Sequence, residues 1–158
     1  MFLDFEQLEN NAKVFLYPSN KKFYPELLKE IDRKVKDFVT QWALENEIEA
    51  GFEIKYQRFI VIAINQSKPI TTRIIDDLVS FIFKLQITHD IELLDKLNVC
   101  FKQGEHVQYK EVKEFKKLIK NKSVNTDTVV FDHLINTKEE LNSDWELPAK
   151  DTWYGRMF

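Results

Sequence analysis

Two long stretches of the chain carry apolar residues at the three- and four-residue spacing of an amphipathic helix. The first follows Pro25, which suits the first turn of a helix, and runs to about Asn46. The second begins after Thr71 or Thr72, either of which can cap it. Its apolar arc is the broader of the two, which indicates a largely buried helix. The pattern therefore predicts two long helices.

The stretch between these helices, Gly51 to Asn65, has the pattern of a β-hairpin. Its first half alternates apolar and polar residues, and Phe59 to Ile64 is continuously apolar, as in a strand buried on both faces. We place a two-residue turn at Tyr56-Gln57. This pair is a poor two-residue loop, so a four-residue loop is the alternative. With the shorter turn, the residues that share the core face are Phe52, Ile54, Phe59 and Val61.

Shorter patterns complete the predicted order of elements. Lys13–Tyr17 and Leu97–Lys102 are typical of strands, and a short return strand is expected near Val107–Tyr109. Residues Lys110–Lys122 have the period of a third helix. The order β-α-β-β-α-β matches a split βαββαβ unit. We therefore predict a single α+β domain over residues 1–158, a ferredoxin-like βαββαβ sandwich with a C-terminal α/β extension and an aromatic tail.

Composition narrows the class of protein. The formal net charge of −3 does not by itself suggest a nucleic-acid or membrane protein. The single cysteine, Cys100, excludes an internal disulfide and is expected to be a buried small hydrophobe. No signal-peptide pattern and no stretch long enough to span a bilayer is present. We predict a cytoplasmic protein without a transmembrane segment.

Motifs that carry common chemistry are absent from the chain. The three glycines, Gly51, Gly104 and Gly155, are too far apart for a phosphate-binding P-loop or a dinucleotide fingerprint. The histidines lie in separate predicted elements, which argues against a metal site. We therefore predict no cofactor, no metal and no catalytic residue, and a P-loop ATPase is argued against.

The third predicted helix carries the clearest charge pattern. Five lysines share the arc opposite its apolar stripe, and a solvated face is the favoured interpretation. The functional alternative is an anionic partner such as RNA, DNA or a phosphorylated ligand. No aromatic residue lies within the arc for base stacking, so nucleic acid is disfavoured. The lysines are Lys110, Lys113, Lys116, Lys117 and Lys120.

A second candidate lies at the predicted hairpin turn. In the register above, Lys55 faces Arg58, and like charges directly opposite each other are destabilising. The favoured explanation is a fraying turn or a local partner such as Glu53. The alternative is a small anion site formed by Lys55 and Arg58, joined by Lys102.

The third candidate is the aromatic tail. Tails with this much aromatic area usually pack on their own domain, and that is the favoured interpretation. The alternative is a docking peptide or a dimer contact. The residues concerned are Trp145, Trp153, Tyr154, Arg156 and Phe158.

Several segments taken together resemble a family of short bacterial proteins often named "ABC transporter ATPase". The segments are FEIKYQRF (Phe52–Phe59), FKQGE (Phe101–Glu105), NTKEE (Asn136–Glu140), WELPA (Trp145–Ala149) and the C-terminal residues Trp153, Arg156 and Phe158. The resemblance extends over nearly the whole chain. The family name implies ATP hydrolysis, although this chain has no phosphate loop, and the resemblance supplies no functional residues.

Three functions are compatible with these patterns. We favour a non-enzymatic binding module whose partner is a second copy or another protein. The alternative is an enzyme or binding protein for a phosphorylated or nucleotide-like small molecule, using Lys55, Arg58 and Lys102. The third is weak nucleic-acid binding through the lysine face of residues 110–120.

Overall fold

The computed structural model describes all residues, Met1–Phe158, as a mixed α+β protein with two antiparallel sheets. The chain divides into two compact units, and the single domain over residues 1–158 stays a prediction. The first unit holds Met1–Leu94 and Asn136–Glu139, and the second holds Asp95–Ile135 and Glu140–Phe158. Each unit has its own sheet and its own apolar cluster.

The first unit contains three strands and both long helices. Its sheet has the order β1-β3-β2, with antiparallel neighbours. Both helices pack on one face of it, because their apolar residues share a cluster with alternate residues of β3. The elements are β1 (Lys13–Pro18), α1 (Pro25–Asn46), β2 (Ala50–Lys55), β3 (Phe59–Ile64) and α2 (Thr72–His89), with a short 3-10 helix at Phe5–Gln7.

Both predicted long helices are confirmed, although α2 is not the largely buried helix that its apolar arc predicted, because only four of its 18 residues are buried. Local chemistry explains where both helices begin. Helix α1 begins with Pro25, and α2 begins after Thr71, whose hydroxyl accepts the backbone N–H of Ile74 at 3.3 Å. The two helices meet through Phe38 and Phe81, whose rings stack with centroids 4.1 Å apart. No helix of the protein combines the length and the apolar character needed to cross a membrane.

The predicted register of the β2–β3 hairpin is wrong by one residue. Tyr56 and Gln57 have positive φ, 55° and 54°, and the backbone N–H of Arg58 donates to Lys55 O at 3.0 Å. Lys55 then faces Phe59, and Arg58 is an extra residue in the loop. The tight turn lies where the sequence predicted it, but the extra loop residue shifts the pairing of the two strands by one residue.

A one-residue shift changes which side chains share a face. Ile54 faces Ile60, and Phe52 faces Ile62, so the predicted core face of Phe52, Ile54, Phe59 and Val61 is not formed. All six residues of β3 are buried. An apolar residue suits either face of such a strand, and the pattern of β3 therefore could not specify the register.

The second unit is built around a four-stranded sheet with the order β5-β4-β6-β7. In its core, one face of a short helix and part of the C-terminal segment pack against β4 and β6. The strands are β4 (Asn98–Gln103), β5 (His106–Glu111), β6 (Val129–Phe131) and β7 (Glu146–Pro148); the helix is α3 (Val112–Lys120), and 3-10 helices follow at Ala149–Asp151 and Trp153–Met157. A further helix, α4, spans Lys138–Ser143.

The predicted ferredoxin-like sheet is not confirmed. That topology needs the strand at residues 97–102 beside β1, whereas β4 pairs with β5 and β6 in the second sheet. The outer edge of β1 instead meets the return segment at residues 136–139. Thr137 forms a bridge with Lys13, and Val14 N–H donates to Asn136 O at 2.9 Å.

The third helix begins at Val112, later than predicted. Lys110 is part of strand β5, where it faces Val99, and does not belong to the helical lysine face. The sheet ladder continues to Glu111 and Asn98. Because pairing with β4 satisfies the backbone of Lys110, tertiary pairing overrides the helical period at this position.

Candidate functional site

The outer edge of β2 is only partly covered by the N-terminal segment. Leu3 N–H donates to Ala50 O at 2.9 Å, and Ala50 N–H donates to Met1 O at 3.2 Å. This parallel bridge involves only Phe2 and Ala50. The segment then crosses Gly51 so closely that a Cβ there would clash with Leu3 O, and it turns into the 3-10 helix. The rest of β2 therefore has no strand on this side.

Backbone groups of β2 point alternately toward β3 and toward this edge. Glu49 O accepts from Asn65 N–H at 2.9 Å on the β3 side, and Ala50 faces the N-terminal segment. By alternation, the N–H and C=O groups of Phe52 and Ile54 also face outward. The edge thus offers two donors and two acceptors with the spacing that an added strand requires.

A cleft of about 330 Å³ lies along this edge. Its lining comes from three parts of the first unit: the N-terminal segment, α1 and β2. The Phe2 and Phe52 rings lie 6.0 Å apart, and the Lys36 ammonium lies 5.9 Å from the Phe2 ring. The lining residues are Phe2, Asp4, Phe5, Asp32, Lys36, Phe52, Glu53 and Ile54.

The cleft has a negative balance of charge. Among the lining side chains, Asp4 and Asp32 contribute two carboxylates against the single ammonium of Lys36. The third acidic lining residue, Glu53, directs its side chain to the opposite face of β2 from Phe52 and Ile54, and its carboxylate lies 3.6 Å from Lys55 Nζ. Carboxylates beside aromatic ring faces attract cations by charge and by cation–π interaction. The chemistry of the cleft therefore suits a positively charged group with apolar surface beside it.

The three cations predicted to bind an anion each have a partner within their own unit. Lys55 pairs with Glu53, as the favoured interpretation expected. Arg58 Nη1 donates to Ser19 O at 2.9 Å, and Lys102 forms an ion pair with Glu146. Lys55 faces Phe59, so the predicted opposition of Lys55 and Arg58 is wrong. These contacts give no support to an anion site, which stays a prediction.

Four of the five lysines of the predicted basic face lie on α3. Lys113, Lys116, Lys117 and Lys120 are exposed, opposite the buried Phe115. Their spacing places them on one side of the helix. The face is therefore present without Lys110, but none of these lysines lines the cleft of the first unit. Binding of an anionic partner stays a prediction.

The aromatic tail packs largely on its own unit. Trp145 is buried against Phe131, with ring centroids 4.8 Å apart, and Tyr154 is buried 6.2 Å from the Phe115 ring. Burial raises the pKa of Tyr154 to about 12, so its hydroxyl stays neutral at physiological pH. Trp145 and Tyr154 are core residues and cannot dock a partner in this structure.

The rest of the tail is more accessible. Trp153 and Phe158 are 45% and 39% exposed, and Arg156 is exposed. Phe158 still touches the core edge-on, with its ring centroid 6.2 Å from that of Phe115. A docking role for these three residues stays a prediction.

Comparisons with known proteins add no relative: no family model, no curated protein and no solved structure matches the chain. The resemblance to the bacterial family therefore stays a prediction. No group of three or more His, Cys, Asp or Glu side chains is arranged to hold a metal ion.

Sequence reasoning missed the cleft because its residues come from distant segments. Phe5 and Asp32 are 27 positions apart along the chain, and Lys36 and Phe52 are 16 positions apart. The one available signal was the alternation in β2, which placed Glu53 on the polar face of a strand. Nothing in that alternation shows which edge of the strand stays open.

Proposed function

We propose that the protein is a non-enzymatic binding module that takes an extended, basic segment of a partner protein along the open edge of β2. The observation that carries this proposal is the outward-facing backbone of Phe52 and Ile54 beside an acidic, aromatic cleft. Strand addition of this kind obtains affinity from main-chain hydrogen bonds and specificity from pockets for alternate side chains.

Main-chain pairing would supply part of the affinity. Phe52 and Ile54 offer four backbone groups, and each hydrogen bond contributes a net of about 0.5–1.5 kcal/mol. The N-terminal segment already uses the neighbouring groups of Ala50. An added strand would continue the same edge beyond that bridge. Because main-chain bonds do not depend on side chains, they do not select the partner sequence.

Selection would come from the cleft. A lysine or arginine directed into it would lie near the carboxylates of Asp4 and Asp32 and the rings of Phe2 and Phe52. Arginine and lysine bury their aliphatic stems along apolar surface while their cationic groups contact water or a carboxylate. A strand alternating basic and apolar residues therefore matches the edge better than an acidic one.

The test uses peptides of about seven residues, a common strand length, that alternate lysine and valine. Binding is followed through the backbone amide signals of Phe52 and Ile54 in NMR spectra. We expect these signals to shift with the lysine peptide. A peptide with glutamate in place of lysine should bind at least about fivefold more weakly, because the carboxylates of the cleft repel its own carboxylates.

Two controls separate strand addition from charge attraction. A lysine–valine peptide with N-methyl groups on alternate residues keeps the charge but loses the donors, and it should fail to shift Phe52 and Ile54. Asp32→Lys should weaken binding, whereas Asp77→Lys, an exposed reversal on α2, should leave it unchanged. Equal binding of the N-methylated peptide, or shifts elsewhere only, would refute the proposal.

A further inference from the structure

Helix α2 carries a row of exposed apolar side chains on the side that the core does not use. Val79, Phe83 and Ile87 are 39%, 49% and 65% exposed, and half-buried Ile75 extends the row by one turn. The spacing of four residues makes one continuous ridge about 18 Å long. The residues that anchor α2 are different ones: Ile74, Leu78, Ile82 and Leu85.

This apolar ridge has the geometry of a self-complementary contact. Ridges of residues four apart pack into the grooves between the same kind of ridges on a second helix, the commonest class of helix packing. In an antiparallel pair centred between Val79 and Phe83, Val79 faces Phe83 of the second copy. Ile75 then faces Ile87 of the second copy. The large Phe83 side chain thus contacts the smaller Val79, and Ile75 contacts another isoleucine, Ile87.

The charges beside the apolar ridge also fit an antiparallel pair. Asp76 lies toward the N-terminal end of α2, and Lys84 lies two turns later. A two-fold axis across the helices brings Asp76 of one copy to within about two residue rises, roughly 3 Å along the axis, of the level of Lys84 of the other. A parallel pair would place each carboxylate level with its own symmetry mate, which repels it.

We infer that α2 is a homodimer interface: a second copy of this chain packs antiparallel on the ridge of Ile75, Val79, Phe83 and Ile87. Stable interfaces bury about 800 Å² per partner, and one helix face provides less than that. The dimer is therefore weak and concentration-dependent. The interface is separate from the edge of β2, so the two proposals fail independently.

Sedimentation equilibrium of the full chain over a wide concentration range tests the interface. We expect a monomer–dimer equilibrium that Phe83→Glu weakens by at least about 30-fold, as for a central apolar anchor. Thr88→Glu adds the same charge at an exposed position off the ridge and should leave the equilibrium unchanged. Circular dichroism checks that both variants keep their helices.

Charge reversal tests the orientation. Asp76→Lys alone and Lys84→Glu alone should each weaken the dimer about two- to fivefold, and the double variant should restore it, because the pair forms between copies. A wild-type chain that stays monomeric at about 1 mM would overturn the inference. So would a dimer that Phe83→Glu leaves intact, or a double variant no tighter than either single one.

Discussion

The two β-hairpins of the protein differ in their turns and in their burial. The β4–β5 loop consists of Gly104 and Glu105, with Gly104 at φ 61°, and Gln103 faces His106 directly. The β2–β3 loop reaches positive φ with Tyr56 and Gln57, which carry side chains, and contains an extra residue. Its second strand is completely buried, whereas no residue of β5 is.

This difference shows what specifies a hairpin. Where glycine occupies the left-handed position, the turn forms without strain. Where side-chain residues occupy it, the turn is strained by about 1 kcal/mol per residue, and tertiary packing must stabilise it. Phe23 N–H donates to Gln57 O at 2.6 Å, one such contact outside the hairpin.

Removing core volume from the two hairpins should give the largest contrast. Ile62 in β3 is fully buried, so Ile62→Ala should lower the free energy of unfolding by about 4 kcal/mol through lost burial and cavity formation. Val107 in β5 is half-buried, and Val107→Ala should cost less than about 1 kcal/mol. Urea unfolding monitored by circular dichroism measures both. Similar losses would show that the hairpins do not differ in burial as described.

Acid should affect the two units unequally through their histidines. Burial lowers the pKa of His133, in the second unit, to about 4. Burial, and then the nearby Lys34 ammonium, lower the pKa of the more exposed His89 in the first unit. A histidine whose pKa is lowered on folding costs nothing above pH 6.5 and destabilises the protein increasingly as the pH falls toward its folded pKa.

For His133 the expected loss of unfolding free energy at pH 5, relative to pH 7, is about 2 kcal/mol. His133→Gln should remove that part of the loss, although carboxylates contribute their own acid dependence to both proteins. Urea unfolding of wild type and variant at several pH values between 7 and 4.5 supplies the comparison. If wild type and His133→Gln lose the same unfolding free energy as the pH falls, His133 does not cause the predicted acid sensitivity.

The smallest effects concern the turns and should have opposite signs. Gly104→Ala forces a Cβ into the left-handed region and should destabilise the protein by about 1 kcal/mol, although the site itself has open space. Gln57→Gly relieves the same strain and should stabilise it by roughly 0.5 kcal/mol, after the entropy of glycine is subtracted. Thermal and urea unfolding measure both. Effects of the same sign would contradict the role assigned to the two turns.

The parts of the fold that sequence predicted are those that a local period or a local residue type determines. The repeats after Pro25 and Thr71 predicted α1 and α2, because an amphipathic helix must turn one stripe toward a core. The continuous apolar run predicted a strand buried on both faces, which β3 is. Cys100 is buried, as its apolar neighbours indicated.

The candidate site could not be predicted in the same way. Lys113, Lys116, Lys117 and Lys120 share one face of α3, which follows from the helix period alone. Lys110 instead belongs to β5, where it pairs with Val99. The predicted cation site at the hairpin depended on a register that one extra loop residue changed. The acidic cleft depends on α1 and the N-terminal segment meeting beside β2, and no local pattern describes that meeting.

The sequence by itself thus determined the helices, the buried strand and the exposed lysine face, because each follows from side chains close together along the chain. Tertiary structure alone decided the hairpin register, the sheet that β4 joins and the open edge of β2. Those features are set by competition between backbone partners that are distant along the chain, and any strand can pair equally well with several others until packing excludes the alternatives.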